Sequence, residues 1–309
     1  MLYRKLHRVA VLIAAVCFST AVQATEPLAA ALKTGGEVSV APCILCLDVG
    51  NTDMLGGVYA GDVLKATFRY STEDFGSADQ LGLFLLSILK QNGFEPHTIQ
   101  GISMGSVVPD CNWVIQKACG QYLPQARYYE LNSAQCNATP LSPLRVKYKN
   151  GHEVGSDLIA NALGAIQVYP GRNLLIVDMG TATTVCAVTK NKEFLGGAIL
   201  PGASLWAQAL SMNTAQLPEA LVSRTTPLSA LGTSTTVECI QSGIYYGQLG
   251  AIKEIIMRSK AEFFKGDTVM IIGTGGCASR YTAEKIFDHV MPELVLQGLL
   301  RAYLTLGQQ

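Results

Sequence analysis

Two short stretches hold residue types that suit phosphate chemistry. In one, apolar residues 174–177 run into Asp178, Gly180, Thr181, Thr183 and Thr184. In the other, apolar residues 44–47 run into Asp48, Gly50, Asn51 and Thr52. Each reads as a buried strand that ends in Asp-x-Gly and then a hydroxyl. The glycine admits backbone shapes closed to other residues and lets a ligand come close. Turn amides donate hydrogen bonds to phosphate while the carboxylate holds a cation. One such turn alone reads equally well as a hairpin whose aspartate merely caps it. Two of them, roughly one domain length apart, predict a duplicated fold with a nucleotide between the halves.

The elements that must position these turns follow from periodicity and punctuation. After the first turn, 54–60 and 63–70 read as two more strands around a Gly61-Asp62 turn, giving an antiparallel meander. Residues 77–91 carry apolar side chains at helical spacing, 99–108 form a buried strand, Pro109 opens a second helix, and 126–131 is extended. The order βββαβαβ is followed by an extended 144–148 and a helix over 158–168, with Asp157 in the positive field at its start. Such an aspartate is more often a plain helix-start acid than a catalytic group. The second half repeats the first. Strands occupy 174–189 and 194–200, and Pro201-Gly202 opens a helix to about 212. Residues 233–236 cap a long helix in which Gly243 and Gly247 allow close packing or a subunit contact, and 269–273 runs into a glycine turn and another helix. The glycines at 273–276 offer flat backbone to an adenine, or simply a strand-to-helix turn. The chain is thus α/β, with alternating strands and helices in its later parts.

Composition sets the outer limits. The 309 residues are 49% hydrophobic and 15% charged with zero net charge, enough for two domains and without the basic excess of a nucleic-acid binder. Nine cysteines form no framework, which fits a reducing compartment. Cys43 and Cys46 have a metal or redox spacing, yet lack a second pair and read as ordinary buried thiols. Residues 1–43 differ from the rest: Arg4, Lys5, His7 and Arg8 precede an apolar run over 9–22 and then small residues, the form of a secretory signal peptide. That run is too short for a membrane span. An upstream start or a tail on a cytoplasmic protein would look the same, and the segment is set apart from the fold.

Taken in order, the motifs resemble type III pantothenate kinase. They are Asp48-x-Gly50-Asn51-Thr52, Ser106-Val107-Val108-Pro109, Tyr148-x-Asn150, Glu153-Val154-Gly155-x-Asp157, Asp178-x-Gly180-Thr181-Ala182-Thr183-Thr184, Gly196-Gly197 with Pro201-Gly202, Ser242-Gly243 and Thr274-Gly275-Gly276. The resemblance covers nearly all of 44–309. It implies two duplicated domains of ribonuclease-H-like, actin-type ATPase architecture, 44–150 and 151–309, with mixed sheets flanked by helices, in a cytoplasmic homodimer. It implies ATP-dependent phosphorylation of pantothenate, the first step of coenzyme A synthesis, with no nucleic acid or membrane as partner. Asp48, Val49, Gly50, Asn51, Thr52, Asp53, Met54 and Leu55 would line the ATP phosphates, and Thr181 would also touch ATP. Magnesium would accompany the nucleotide. Asp178 would hold a monovalent cation, potassium or ammonium. Tyr148, Gly155, Ser156, Asp157, Leu158 and Thr236 would hold pantothenate, with Asp157 as general base.

The chain departs from the family pattern at three places. Leu158 stands where an arginine is usual, so a charged contact that would steady the pantothenate carboxylate is missing. Gly151 replaces a proline and its fixed torsion, and Cys186 stands where an aspartate is frequent. These changes predict weakened substrate affinity. They also leave open a non-catalytic ATP- or pantothenate-binding relative, or a kinase of the same fold with another acceptor.

Overall fold

The computed structural model describes residues 42–138, 142–220 and 229–307. The leader-like segment up to residue 41 lies outside the described residues. Strands β1 (Cys43–Val49), β2 (Asp53–Ala60) and β3 (Val63–Ser71) form the expected antiparallel meander. Helix α1 (Ala78–Gln91) follows, then β4 (Ile99–Ser106), α2 (Pro109–Tyr122) and β5 (Arg127–Glu130). The five strands join in the order β3-β2-β1-β4-β5. Strand β1 lies between β2 and β4 with both faces covered, which is why its sequence is apolar without alternation. Its two cysteines point to opposite faces and are buried in different clusters, as expected of ordinary thiols.

The second half begins with the two-residue strand β6 (Arg145–Val146) and helix α3 (Ser156–Val168). Strands β7 (Asn173–Met179), β8 (Ala182–Val188) and β9 (Glu193–Pro201) repeat the meander. Helices α4 (Ala203–Met212) and α5 (Thr236–Ser259) come next, then β10 (Val269–Thr274), β11 (His289–Val290) and α6 (Leu294–Thr305). The sheet order is β11-β10-β7-β8-β9-β6.

Local chemistry explains the element starts. Ser77 and Gln80 close a capping box on α1, Pro109 is a first-turn proline of α2, and the Thr235 hydroxyl accepts from the Glu238 amide at α5. Helix α3 starts at Ser156 and not 158, since Gly155 takes the cap position. After Gly276 the expected helix is a 3-10 helix, Ala278–Glu284. Gly247 packs closely against the Trp206 ring of α4, whereas Gly243 meets nothing.

Layers alternate through the described fold. Helices α1 and α2 cover the outer face of the first sheet around Leu81, Leu85 and Ile115. Helices α3 and α6 share one cluster with inner-face residues of both sheets, including Cys46, Leu55, Leu174 and Ile176. Tyr245, Leu249 and Ile252 of α5 cover the outer face of the second sheet. The middle pair crosses at close range: a Cβ on Gly298 would collide with the Ala160 backbone, and one on Gly164 with the Leu294 carbonyl. Small residues at such a crossing let two helix backbones approach. This shared layer brings the start of α3 to the place where both glycine turns end.

Candidate active site

The two Asp-x-Gly turns lie at the ends of β1 and β7. In the first, the Gly50 amide donates to the Asp53 carbonyl at 3.1 Å, and the Thr72 hydroxyl donates to the Gly50 carbonyl at 2.7 Å. In the second, the Gly180 amide donates to the Ala182 carbonyl at 3.0 Å, and the Gly202 amide to the Thr181 carbonyl at 3.0 Å. The turns meet: the Thr52 and Thr181 hydroxyls share a hydrogen bond of 2.9 Å across the two halves. Both threonines are exposed, so the amides around them face a site open to ligand. A third wall comes from the loop after β10. Gly275 has φ +82°, and a Cβ there would collide with Asp178 Oδ1 and the Met179 backbone. The Cys277 amide donates to the Met179 carbonyl at 3.0 Å and fixes that loop on the turn.

Helix α3 supplies the third carboxylate. The Ser156 hydroxyl donates to the Ser106 carbonyl at 3.0 Å, pinning the helix start to the end of β4. Asp157 Oδ1 accepts from the Leu158 amide at 2.8 Å. Asp48, Asp157 and Asp178 are all half-buried and feel one another. Burial pushes the Asp48 carboxyl up to about 8, the charges of Asp157 and Asp178 add to this, and the Arg69 guanidinium opposes it. Asp178 is pushed up to about 6 by burial, against a hydrogen bond from Asn161 and with help from Asp157. Burial also raises Asp157, while backbone amides hold it back. Such clustered, shifted acids mark a functional site more often than a structural one.

Asn161 was not singled out by sequence reasoning. It is 2% exposed, one turn on from Asp157 on the same helix face, and its Nδ2 donates to Asp178 Oδ2 at 2.8 Å. Its Oδ1 is buried and has no hydrogen-bond partner among the described residues. An orphan acceptor beside a carboxylate fits a bound cation with oxygen ligands. The one signal in the sequence was a lone amide in the apolar run Ile159-Ala160-Asn161-Ala162-Leu163. Arg69 and Thr72 were missed for a similar reason, since only strand pairing brings them near the first turn.

The remaining expected residues are distributed around this cluster. Val49, Met54 and Leu55 are buried in the first meander, and Asn51 and Asp53 stand at its turn. Gly155 caps α3, and a Cβ there would collide with Asp157 Oδ1. Leu158 is partly buried and packs on the middle cluster. Tyr148 is 45% exposed and lies over Gly196, and Thr236 opens α5 on the surface. Among the described residues, no hydrogen bond ties Tyr148 or Thr236 to the three carboxylates. Cys186 lies on β8 below them, its thiol pushed up to about 12 by burial and by Asp157 and Asp178.

Known proteins carry the same pattern. The family model for type III pantothenate kinase matches residues 44–258. A type III pantothenate kinase of Legionella pneumophila is 45% identical over 256 residues, 83% of this chain and 96% of the relative. The type III pantothenate kinase of Elusimicrobium minutum is 42% identical with the same coverage. Among solved structures, a Campylobacter jejuni protein named as a conserved Baf family transcriptional activator aligns at TM-score 0.52 and 17% identity, over 86% of this chain and all of that one. A Sinorhizobium meliloti protein named as a 2-dehydro-3-deoxygalactonokinase aligns at TM-score 0.50 and 14% identity, over 84% and 98%. At these identities the two structures speak for the fold, two mixed sheets flanked by helices in the actin-type ATPase manner. The ordered motifs, the family match over 44–258 and the 42–45% identity to relatives across 83% of the chain place this chain in the type III pantothenate kinase family.

Proposed function

We propose that this protein transfers the terminal phosphoryl group of ATP to the primary hydroxyl of pantothenate, the entry step to coenzyme A. The observation that carries the reading is the convergence of Asp48, Asp157 and Asp178 on two glycine turns joined through Thr52 and Thr181. Phosphoryl transfer demands positioning and charge neutralisation more than covalent help. The turn amides of 48–55 and Thr181 hold the phosphates. Asp157 accepts the hydroxyl proton as the oxygen–phosphorus bond forms and the bond to ADP breaks. Its raised affinity for protons suits that task. Tyr148, Gly155, Ser156 and Thr236 line the pantothenate side, with Leu158 beside them partly buried against the core.

Asp178 and the Asn161 Oδ1, which has no partner among the described residues, would hold a monovalent cation, potassium or ammonium, and it would offset phosphate charge. Magnesium arrives with ATP. Among the described residues no three His, Cys, Asp or Glu side chains are grouped to hold a metal. Residues 44–150 and 151–309 act as the two lobes that clasp the nucleotide. The protein works as a homodimer in the cytoplasm. Support for self-association comes from exposed apolar side chains near α4, Ile199 at 75% and Met212 at 73%. Support for the compartment comes from Cys46, Cys111, Cys119, Cys136, Cys186, Cys239 and Cys277, which are free thiols. No described helix is long and apolar enough to cross a membrane.

Leu158 favours a second reading, a non-catalytic nucleotide-binding relative, because it packs on the core and offers the substrate no donor. Coupled ADP release measured with and without pantothenate separates the two. Pantothenate-dependent ADP formation establishes the kinase; nucleotide binding without it establishes the alternative.

A further inference from the structure

We propose that Arg69 is a phosphate-binding residue of this site, reaching across Leu55 to neutralise the charge that a nucleotide brings beside Asp48. The inference rests on the ATP reading above and adds a residue that the sequence motifs do not include.

Strand register carries the argument. Asp48 pairs with Leu55 across β1 and β2, and Leu55 pairs with Arg69 across β2 and β3. Directly opposed residues of antiparallel strands share one face of the sheet. Asp48, Leu55 and Arg69 therefore form a row, with the carboxylate at one end and the guanidinium at the other. The middle residue is apolar and can pair with neither. The Arg69 guanidinium is the positive charge that opposes the upward push on Asp48. It is exposed, and its guanidinium makes no hydrogen bond or ion pair with a described residue. Beside it opens a cavity of about 270 Å³, lined by Leu55, Thr67, Phe68, Arg69, Pro292 and Glu293. That space leaves the guanidinium room to turn towards the first glycine turn.

Electrostatics make the row purposeful. Three acidic side chains already crowd this site, and a triphosphate brings several negative charges into it. Asn161 and the cation site answer that charge on the Asp178 side. On the Asp48 side the answer falls to Arg69. An arginine offers five donors in a planar fork that matches phosphate oxygens, and an unpaired one gives up no existing bond to make that contact.

The test compares binding of the β,γ-imido analogue of ATP with binding of adenosine, by calorimetry on the full chain. Arg69→Met should weaken the analogue roughly 10- to 150-fold, the cost of one charge-assisted contact. Adenosine affinity and the melting temperature of the ligand-free protein should stay as they are, and Arg69→Lys should recover part of the loss. Unchanged analogue affinity in Arg69→Met overturns the proposal. So does an equal loss for adenosine, which would mean a structural role. Steady-state rates separate this from the kinase reading. Loss of analogue affinity in a protein that never phosphorylates pantothenate upholds Arg69 and removes the acceptor. Pantothenate turnover with an unaltered ATP constant in Arg69→Met does the reverse.

Discussion

Asp157 and Leu158 are neighbours with opposite fates. Asp157 faces the other acids at the start of α3, while Leu158 turns onto the core between the sheets. Replacing Asp157 with Asn keeps the shape and removes proton acceptance. Turnover should fall roughly 100-fold or more, with nucleotide affinity little changed; single-turnover rates and nucleotide titrations check both halves of that statement. Leu158→Arg restores up to five donors near the substrate. The apparent pantothenate constant should fall by roughly 10-fold or more, one charge-assisted contact being worth that much. The core loses some packing, so the melting temperature should drop in the same variant. A pantothenate titration decides it: an unchanged constant means that the site has been rebuilt around leucine or that the acceptor is another molecule.

At the scale of elements, the crossing of α3 and α6 is the tightest joint described. Gly298 sits against the Ala160 backbone with no room for a side chain. Gly298→Val should force the helices apart and cost about 1–3 kcal/mol or more, read as a lower urea midpoint. Because α3 carries Asp157 and Asn161, activity should fall before the fold is lost. This joint was invisible in the sequence, where Gly164 and Gly298 are isolated glycines in apolar helices. The strands were legible because buried strands leave continuous apolar runs, and the glycine turns because their residue types are rare in combination. Strands β6 and β11, two residues each, are too short to show a period. The helix after Gly276 was legible, but its 3-10 type was not, because its apolar and polar residues suit either helix type. Within the site, the motif acids were readable, but Asn161 and Arg69 owe their places to helix packing and strand register, which single-sequence reading does not reach.

At the scale of the whole molecule, the site stores electrostatic strain. Asp48 binds its proton up to about 8 in the folded chain against 3.8 for the unperturbed group. Between those values the folded protein holds more protons than the unfolded one, so stability is highest at the acid end and declines as pH rises towards 8. Asp178, with its value near 6, adds to the same slope over a narrower window. The ligand-free melting temperature should therefore fall between about pH 5 and pH 8, once the general acid unfolding of other carboxylates is passed. Asp48→Asn should flatten that decline and raise the melting temperature at the alkaline end. A slope identical in wild type and Asp48→Asn would mean that the acids are relieved by solvent.

The helix that fills the middle layer, α6, is the last described element in chain order, and this matters while the chain is being made. The Ser103 hydroxyl on β4 donates to the Leu299 carbonyl, 196 residues further on. At about 5–20 residues per second of synthesis, that partner arrives about 10–40 s later. Throughout that interval the inner face of the first sheet, with Ile44, Cys46, Leu55 and Tyr59, has left the ribosome without the α6 part of its cover. Nascent chains of this protein thus carry an incompletely covered apolar sheet for most of their translation, a standing demand on the cell's chaperones that ends only when α6 emerges.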